Sequence, residues 1–168
     1  MKKLLVIAAL AFAGLGVVNA QEGSFNGGVN VGFPTGDTSD VSSFAMSVEA
    51  NYLFDVSETF KVGPSISYLH YFGKDIEING FGTIEVKDSG FLPVAAAARF
   101  VASEKFSVGA DLGYGIGISP SGQEGAFYYR PMIGYSVSEN VMLQATYTGM
   151  SKNSNTVSNF GVGAMFAL

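Results

Sequence analysis

Residues 100–118 read FVASEKFSVGADLGYGIGI, a short polar turn followed by a run with an apolar residue at every second position. Alternation of this kind is the pattern of a β-strand that has one apolar and one polar face. The apolar face would carry Phe106, Val108, Ala110, Leu112, Tyr114, Ile116 and Ile118. The opposite face consists of glycine and serine with a single charged residue, Asp111. This stretch therefore predicts a long strand that a tight turn joins to the strand before it.

The Ser-Glu turn in this stretch occurs three times along the chain. It reads VSETFKVG at residues 56–63, ASEKFSVG at residues 102–109 and VSENVML at residues 137–143. Each copy separates two alternating runs, which is the layout of a β-hairpin. Together with the longer polar segments between them, the turns predict eight strands, with three short turns at one end and four longer loops at the other. An even strand number with unequal ends is typical of outer-membrane barrels.

The first 20 residues have the features of a cleaved secretory signal peptide. Two lysines precede an uncharged apolar run at residues 4–18, and Val18-Asn19-Ala20 fits a small-x-small cleavage site. We therefore expect residues 1–20 to be removed after export and residues 21–168 to form a single domain. Loss of the two lysines changes the formal net charge from −5 to −7, which argues against nucleic acid as a partner.

The composition of the polar face distinguishes a membrane barrel from a soluble, lipocalin-like one. Charged residues make up 14% of the chain, against roughly 25% in soluble domains. The polar face is mostly Gly, Ser, Ala and Asn, which suit the crowded interior of an eight-stranded barrel. Aromatic rings mark both ends of the apolar face, as in the two interfaces of a bilayer. They are Phe54, Phe60, Phe100, Phe106 and Tyr135 near the turns, and Phe33, Phe44, Phe72, Tyr129 and Tyr147 near the loops.

These patterns predict an all-β protein, an eight-stranded antiparallel up-and-down transmembrane barrel whose outer face contacts outer-membrane lipid. The last strand, FGVGAMFAL at residues 160–168, carries Phe160, Val162, Ala164, Phe166 and Leu168 on its apolar face. With this strand and the alternation over residues 21–168, the chain resembles the small outer-membrane barrels of the OmpA/OmpX type. The resemblance implies a place in the bacterial outer membrane and a last strand that the barrel-insertion machinery reads. That family usually ends in Phe, whereas this chain ends in Leu168. We expect a monomer.

Five charged residues fall on the inward face of the predicted barrel. They are Glu49, Lys61, Arg99, Asp111 and Arg130. Glu49, Asp111 and Arg130 each lie about eight residues from a Ser-Glu turn, so we expect them at similar depth. Charges buried in a barrel must pair with one another. Two hypotheses follow, an ion network that plugs the barrel and a gate or charge filter in a narrow porin-like channel.

The third and fourth predicted strands continue in the same phase beyond the outer ring of aromatic residues. The alternating apolar residues are Ile76, Ile78, Ile84 and Val86, on either side of Asn79-Gly80. Because Asn-Gly is a strong hairpin signal, this segment predicts a protruding hairpin with an exposed apolar stripe. Such a stripe is a candidate surface for an extracellular protein partner at residues 73–90. The alternative is a mobile loop with no partner.

The sequence holds one histidine, His70, with Ser67 nearby. Some outer-membrane barrels are lipid-modifying hydrolases, but residues three positions apart point to opposite faces of a strand. We therefore expect a structural or surface-interaction role and not an enzyme, with no catalytic residues, metal or cofactor. The first alternative is the porin-like channel, and the second is a membrane-embedded hydrolase.

Overall fold

The structure is a computed structural model that describes residues 23–78, 82–153 and 155–168. Within these residues the chain has ten strands and one short helix. The strands are β1 Gly23–Thr35, β2 Ser42–Asp55, β3 Phe60–Gly73, β4 Ile76–Ile78, β5 Gly82–Ile84, β6 Ser89–Val101, β7 Phe106–Ser119, β8 Ala126–Ser136, β9 Val141–Lys152 and β10 Asn155–Ala167, and the helix is α1 Thr38–Val41. The predicted signal peptide and the Asn79-Gly80 turn lie outside the described residues.

Eight of the strands close into an antiparallel barrel. Their order around the barrel is β1-β10-β9-β8-β7-β6-β3-β2, so strands that are neighbours along the chain are also neighbours in the wall. The first and last strands pair with each other, with Asn26 opposite Ala167, and this pairing removes both free edges. The predicted eight-stranded antiparallel barrel is confirmed. Among the described residues no helix is long and apolar enough to span a bilayer.

The three Ser-Glu turns share one hydrogen-bonding pattern. In each, the first residue after one strand donates its amide to the carbonyl of the first residue of the next strand. The donor and acceptor pairs are Val56 and Phe60 at 2.9 Å, Ala102 and Phe106 at 2.8 Å, and Val137 and Val141 at 2.9 Å. The hydroxyls of Ser57 and Ser103 also accept the amides of Phe60 and Phe106, each at 3.1 Å. The repeated sequence therefore forms a repeated turn, and we call this end of the barrel the turn end and the other the loop end.

The apolar face of each barrel strand points outward. On β7, Leu112 is 54% exposed whereas Asp111, its neighbour in sequence, is 0% exposed. Large hydrophobic side chains on the other barrel strands show the same outward exposure, and the polar side chains between them are buried. An apolar outer wall around a polar interior is the arrangement of a membrane barrel.

Pro64, Pro93 and Pro131 lie well inside barrel strands, and each interrupts one of its two ladders. At Pro64 the pairing of β2 with β3 skips from Asn51 and Ser65 to Phe54 and Val62. Similar gaps occur at Pro93 between β3 and β6 and at Pro131 between β8 and β9. A proline has no amide to donate, which explains the gap, yet the register is the same on both sides of it.

The first loop contains a short helix that the sequence did not reveal. Helix α1 folds back over the loop end, where Thr38 is buried and its hydroxyl accepts the amide of Ser158 at 3.0 Å. A four-residue helix is too short to show a helical period in the sequence.

The protruding hairpin is a small sheet of its own, with Ile76 opposite Ile84. The prediction that β3 and β6 run on without a break into this hairpin is wrong, since residues 74–75 and 85–88 belong to no strand. Val86 therefore lies outside β5. Its carbonyl oxygen packs against the Cα of Gly73, at a place that only a residue without a side chain leaves open.

Candidate functional site: the barrel lumen

A network of two carboxylates and two guanidinium groups crosses the middle of the lumen. Asp111 accepts a hydrogen bond from Arg99 Nη1 at 2.6 Å on one oxygen and from Arg130 Nε at 3.1 Å on the other. Arg130 Nη2 also lies 2.8 Å from that second oxygen. Arg130 also forms an ion pair with Glu49. We call Glu49, Arg99, Asp111 and Arg130 the ion network. Its formal charges cancel, and each of its side chains is at most 5% exposed.

The local fold explains why these four residues meet. Asp111 is directly opposite Arg130 in the register of β7 and β8, so their side chains leave the wall at the same level. Arg99 lies opposite Gly109 on the other side of β7, and its side chain passes over this glycine to reach Asp111. Glu49 comes from the far wall and completes the row.

Two neutral side chains that the sequence analysis did not single out join Glu49. Asn30 donates to Glu49 Oε1 at 2.9 Å, and Gln144 donates both to Glu49 and, at 2.9 Å, to Asn30. The carboxylate therefore has partners from three strands. Both residues lie on the inward face and alternate with outward apolar neighbours, and this alternation is the signal that could have pointed to them.

Lys61 does not join the ion network, although the sequence grouped it with these residues. Its side chain is at the turn end, where Nζ lies 2.8 Å from Asp55 Oδ1, and both partners are partly exposed. The reason is its position in β3. Lys61 is the second residue of that strand, so it leaves the wall at the mouth of the barrel.

An apolar cluster fills the loop half of the lumen. Its buried members are Ala45, Leu69, Tyr71, Phe91, Ala126, Tyr128 and Met150. The rings of Tyr71 and Phe91 meet edge to face with their centroids 6.3 Å apart, a favourable geometry for aromatic pairs. The Tyr71 hydroxyl donates to Asn159 at 2.8 Å, so the polar group of this buried ring has a hydrogen-bond partner.

The turn half of the lumen contains a cavity of about 320 Å³ that opens at the turn end. Asn26, Asn51, Arg99 and Met165 are buried residues that line its inner part, and exposed residues of the Ser-Glu turns line its mouth. The lumen thus has three zones from loop end to turn end, namely the apolar cluster, the ion network and this cavity. Among the described residues no group of three or more His, Asp or Glu is placed to hold a metal ion.

Neither a protein-family model nor a curated protein matches the amino-acid sequence. Solved structures of other proteins have a fold similar to that of this chain. Ail, the attachment invasion locus protein of Yersinia pestis, has a TM-score of 0.60 at 17% identity, covering 89% of this chain and 100% of that one. The N-terminal β-barrel domain of Pseudomonas aeruginosa OprF has a TM-score of 0.52 at 14% identity, with coverage of 89% and 100%. The fold is that of the small outer-membrane barrels of the OmpA/OmpX type. A de novo designed transmembrane β-barrel is also similar, with a TM-score of 0.55 at 15% identity and coverage of 90% and 100%.

On the outer face of this OmpA/OmpX-type barrel, three polar side chains connect β3 to the segment that follows the hairpin. His70 Nδ1 lies 3.1 Å from the Tyr68 hydroxyl, and His70 Nε2 lies 3.0 Å from Asp88 Oδ2. Asp88 also accepts the amide of Gly73 at 2.9 Å. This backbone hydrogen bond, with the weaker help of His70, holds the pKa of Asp88 below its ordinary value of 3.8. Ser67 faces the lumen and is buried, so the barrel wall separates it from His70.

Proposed function

We propose that this chain is an integral protein of the bacterial outer membrane with a closed lumen, and that its interactions take place at the loop end. The observation that carries the proposal is the packing of the lumen. The ion network and the apolar cluster occupy two successive levels, and their side chains are almost fully buried. A solute that entered the barrel would have to separate buried charges at one level and aromatic rings at the other.

The porin-like channel is less well supported, because its passage would require both levels to open together. Separating buried ion pairs is unfavourable by several kcal/mol unless water replaces the lost contacts. The membrane-hydrolase alternative lacks its minimal geometry, since a nucleophile and its base must lie within hydrogen-bonding distance and Ser67 and His70 lie on opposite faces of the wall.

Conductance of the refolded protein in planar lipid bilayers tests the closed lumen. We expect no steady single-channel current from the wild-type barrel. A Tyr71→Ala/Tyr128→Ala variant makes room in the apolar cluster only, and it should also carry no steady current because the ion network still closes its own level. Steady currents from the wild type would refute the closed-lumen proposal and favour the channel.

The loop end is the proposed place of interaction, with the β4–β5 hairpin at its centre. The outer edges of this two-stranded sheet pair with no other strand of the described chain, and Ile84 is 53% exposed. Unpaired strand edges and exposed apolar side chains are sites where another protein adds a strand. Residues 73–90 remain a candidate surface for an extracellular protein.

The charge of the loops narrows the kind of partner. The loop-end segments 36–41, 74–88, 120–125 and 152–154 hold seven acidic residues and three lysines. They are Asp37, Asp40, Asp75, Glu77, Glu85, Asp88 and Glu124 on one side and Lys74, Lys87 and Lys152 on the other. Ail has been solved in complex with the heparin analogue sucrose octasulfate. An acidic loop end would repel such a sulfated ligand, so for this chain we propose a partner with a basic surface.

Retention on charged surfaces tests this part of the proposal. Refolded protein in nanodiscs of neutral lipid should bind polylysine-coated surfaces at low salt and should pass over heparin-coated ones. A Glu85→Lys/Asp88→Lys variant should lose polylysine binding, whereas the turn-end variant Glu104→Lys/Glu139→Lys is the control for total charge. Retention on heparin, or equal losses in the two variants, would contradict a basic partner at the loop end.

A further inference from the structure

The cavity at the turn end has an inner part that differs chemically from its mouth. The charged residues at the mouth, Glu104, Lys105 and Glu139, belong to exposed turns, so water and salt screen them. In the inner part the one charged side chain among the described lining residues is Arg99, which is 5% exposed. Lys61, which is paired with Asp55 at the mouth of the barrel, also lines the cavity.

Two side chains of the inner part have hydrogen-bond donors without an oxygen acceptor. Arg99 donates through Nη1 to Asp111 and to the carbonyls of Ala98 and Ala110, but its Nη2 has no partner in the described chain. Asn51 Nδ2 has only the thioether of Met165, at 3.9 Å. A sulfur at that distance is a weak acceptor, whereas buried donors normally have a full partner.

The acceptors near these two donors are already used. Asn51 Oδ1 accepts Asn26 Nδ2 at 3.0 Å, and Asp111 accepts both arginines of the ion network. The amide and carboxylate oxygens next to these two donors therefore already have partners. A group that supplies two or more oxygen acceptors would satisfy both, and a negative charge on those oxygens would strengthen each hydrogen bond.

We propose that this cavity binds a small oxyanion, a carboxylate or a phosphate, between the guanidinium of Arg99 and the side-chain amide of Asn51. The volume of about 320 Å³ exceeds that of such a group, which leaves room for the rest of a small molecule toward the open mouth. Lys61 lines the route of entry, with its ammonium paired to Asp55. The site faces the compartment at the turn end and does not depend on the proposed role of the loop end.

Backbone amide NMR of the refolded, isotope-labelled protein tests the site. The protein should be held in alkyl maltoside micelles, which carry neither phosphate nor carboxylate, and titrated with sodium acetate, with inorganic phosphate and with sodium chloride at matched ionic strength. Saturable shifts at the amides of Asn26, Asn51 and Met165 are expected with acetate, with phosphate or with both. The responding anion identifies the class of ligand. In the wild-type protein, the Nε–H signal of Arg99 should shift together with these three amide signals.

The matched variants are Asn51→Asp in the cavity and Asn159→Asp in the loop half of the lumen. Asn51→Asp replaces a donor with a negative charge and should weaken binding about tenfold or more, since a hydrogen bond to a charged group contributes this much. Asn159→Asp should bind as the wild type does. Shifts that are equal in chloride, absent in both anions or unchanged in Asn51→Asp would overturn the proposal. If Asn51→Asp does not fold, the Arg99 signal of the wild type decides the matter alone.

Discussion

The ion network predicts an unequal response to removal of its members. Asp111 is the one carboxylate that contacts both arginines, at 2.6 Å to Arg99 and 2.8 Å to Arg130. In Asp111→Ala, Arg130 still has Glu49 as a partner. Arg99 is left with two backbone carbonyls and no carboxylate. Removing one side of a buried pair typically lowers the free energy of unfolding by about 3–5 kcal/mol, and we expect a loss in this range.

The double variant Asp111→Ala/Arg99→Ala should be more stable than Asp111→Ala alone. It removes the arginine that lacks a partner and keeps the balanced pair of Arg130 and Glu49. Arg99→Ala by itself leaves Asp111 paired with Arg130, so its loss should be the smaller of the two single losses. The coupling energy between Asp111 and Arg99 should fall within about 0.5–3 kcal/mol, the range for residues in direct contact.

Urea unfolding of the refolded barrel in lipid vesicles is the assay. The chain contains no tryptophan, so the folded fraction is followed by far-UV circular dichroism and by the gel mobility of unboiled samples. Lys61→Ala provides the control, since its half-exposed pair with Asp55 should contribute less than about 1 kcal/mol. The reasoning fails if the losses of the two single variants add up in the double variant, or if Asp111→Ala is no less stable than Lys61→Ala.

Three further predictions concern the wall and the loop end. Leu112→Arg, at mid-height on the lipid face, should lower the unfolding free energy by about 2–4 kcal/mol, whereas Ile118→Arg near the end of the same strand should lower it by about 0–1 kcal/mol; equal urea midpoints would contradict the depth assignment. Gly149→Val should destabilise the barrel because its Cβ would meet a tyrosine ring of the neighbouring strand, whereas Gly27→Val, whose Cβ would make only ordinary van der Waals contacts, should have little effect; thermal shifts of the gel band compare the two. Because the pKa of Asp88 is lowered on folding, its contacts should persist above the ordinary pKa of 3.8 and disappear as the pH falls through the lower folded value. The NMR shift of the amide that it accepts should therefore titrate with a midpoint below 3.8, and a midpoint above it would contradict the hydrogen bond.

The strands of the wall could be predicted because two regular signals overlap. Alternation gives the faces, and the repeated Ser-Glu turns give the register, since residues equally far from a turn lie at similar depth. This is why Asp111 and Arg130 could be placed on neighbouring strands at one level. The same reasoning misplaced Lys61, because an inward residue at a strand end belongs to the mouth of the barrel and not to its centre.

The loop end could be predicted only in part, for two physical reasons. Helix α1 has four residues, about one helical turn, so no helical period can repeat within it. The apolar phase through Ile76, Ile84 and Val86 continues across residues 74–75 and 85–88, which belong to no strand. The alternation therefore does not show where the strands break. The donors of Arg99 and Asn51 that lack an oxygen acceptor could not be predicted either. Asparagine on an inward face is common in crowded barrel interiors, and its hydrogen-bond partners depend on the packing of the side chains around it.

The closure of the barrel by β1 and β10 has a consequence for the order in which the wall forms. The three Ser-Glu turns join strands that are adjacent along the chain, so those hairpins close short loops and can assemble early. The pairing of Asn26 with Ala167 joins the two ends of the described chain, and contacts of such large sequence separation form slowly. Until that pairing is made, β1 and β10 each present an unpaired edge inside or beside the bilayer. Mutations that weaken this pairing should therefore slow folding more than equal changes between β6 and β7, and they should raise the fraction of chains lost to aggregation.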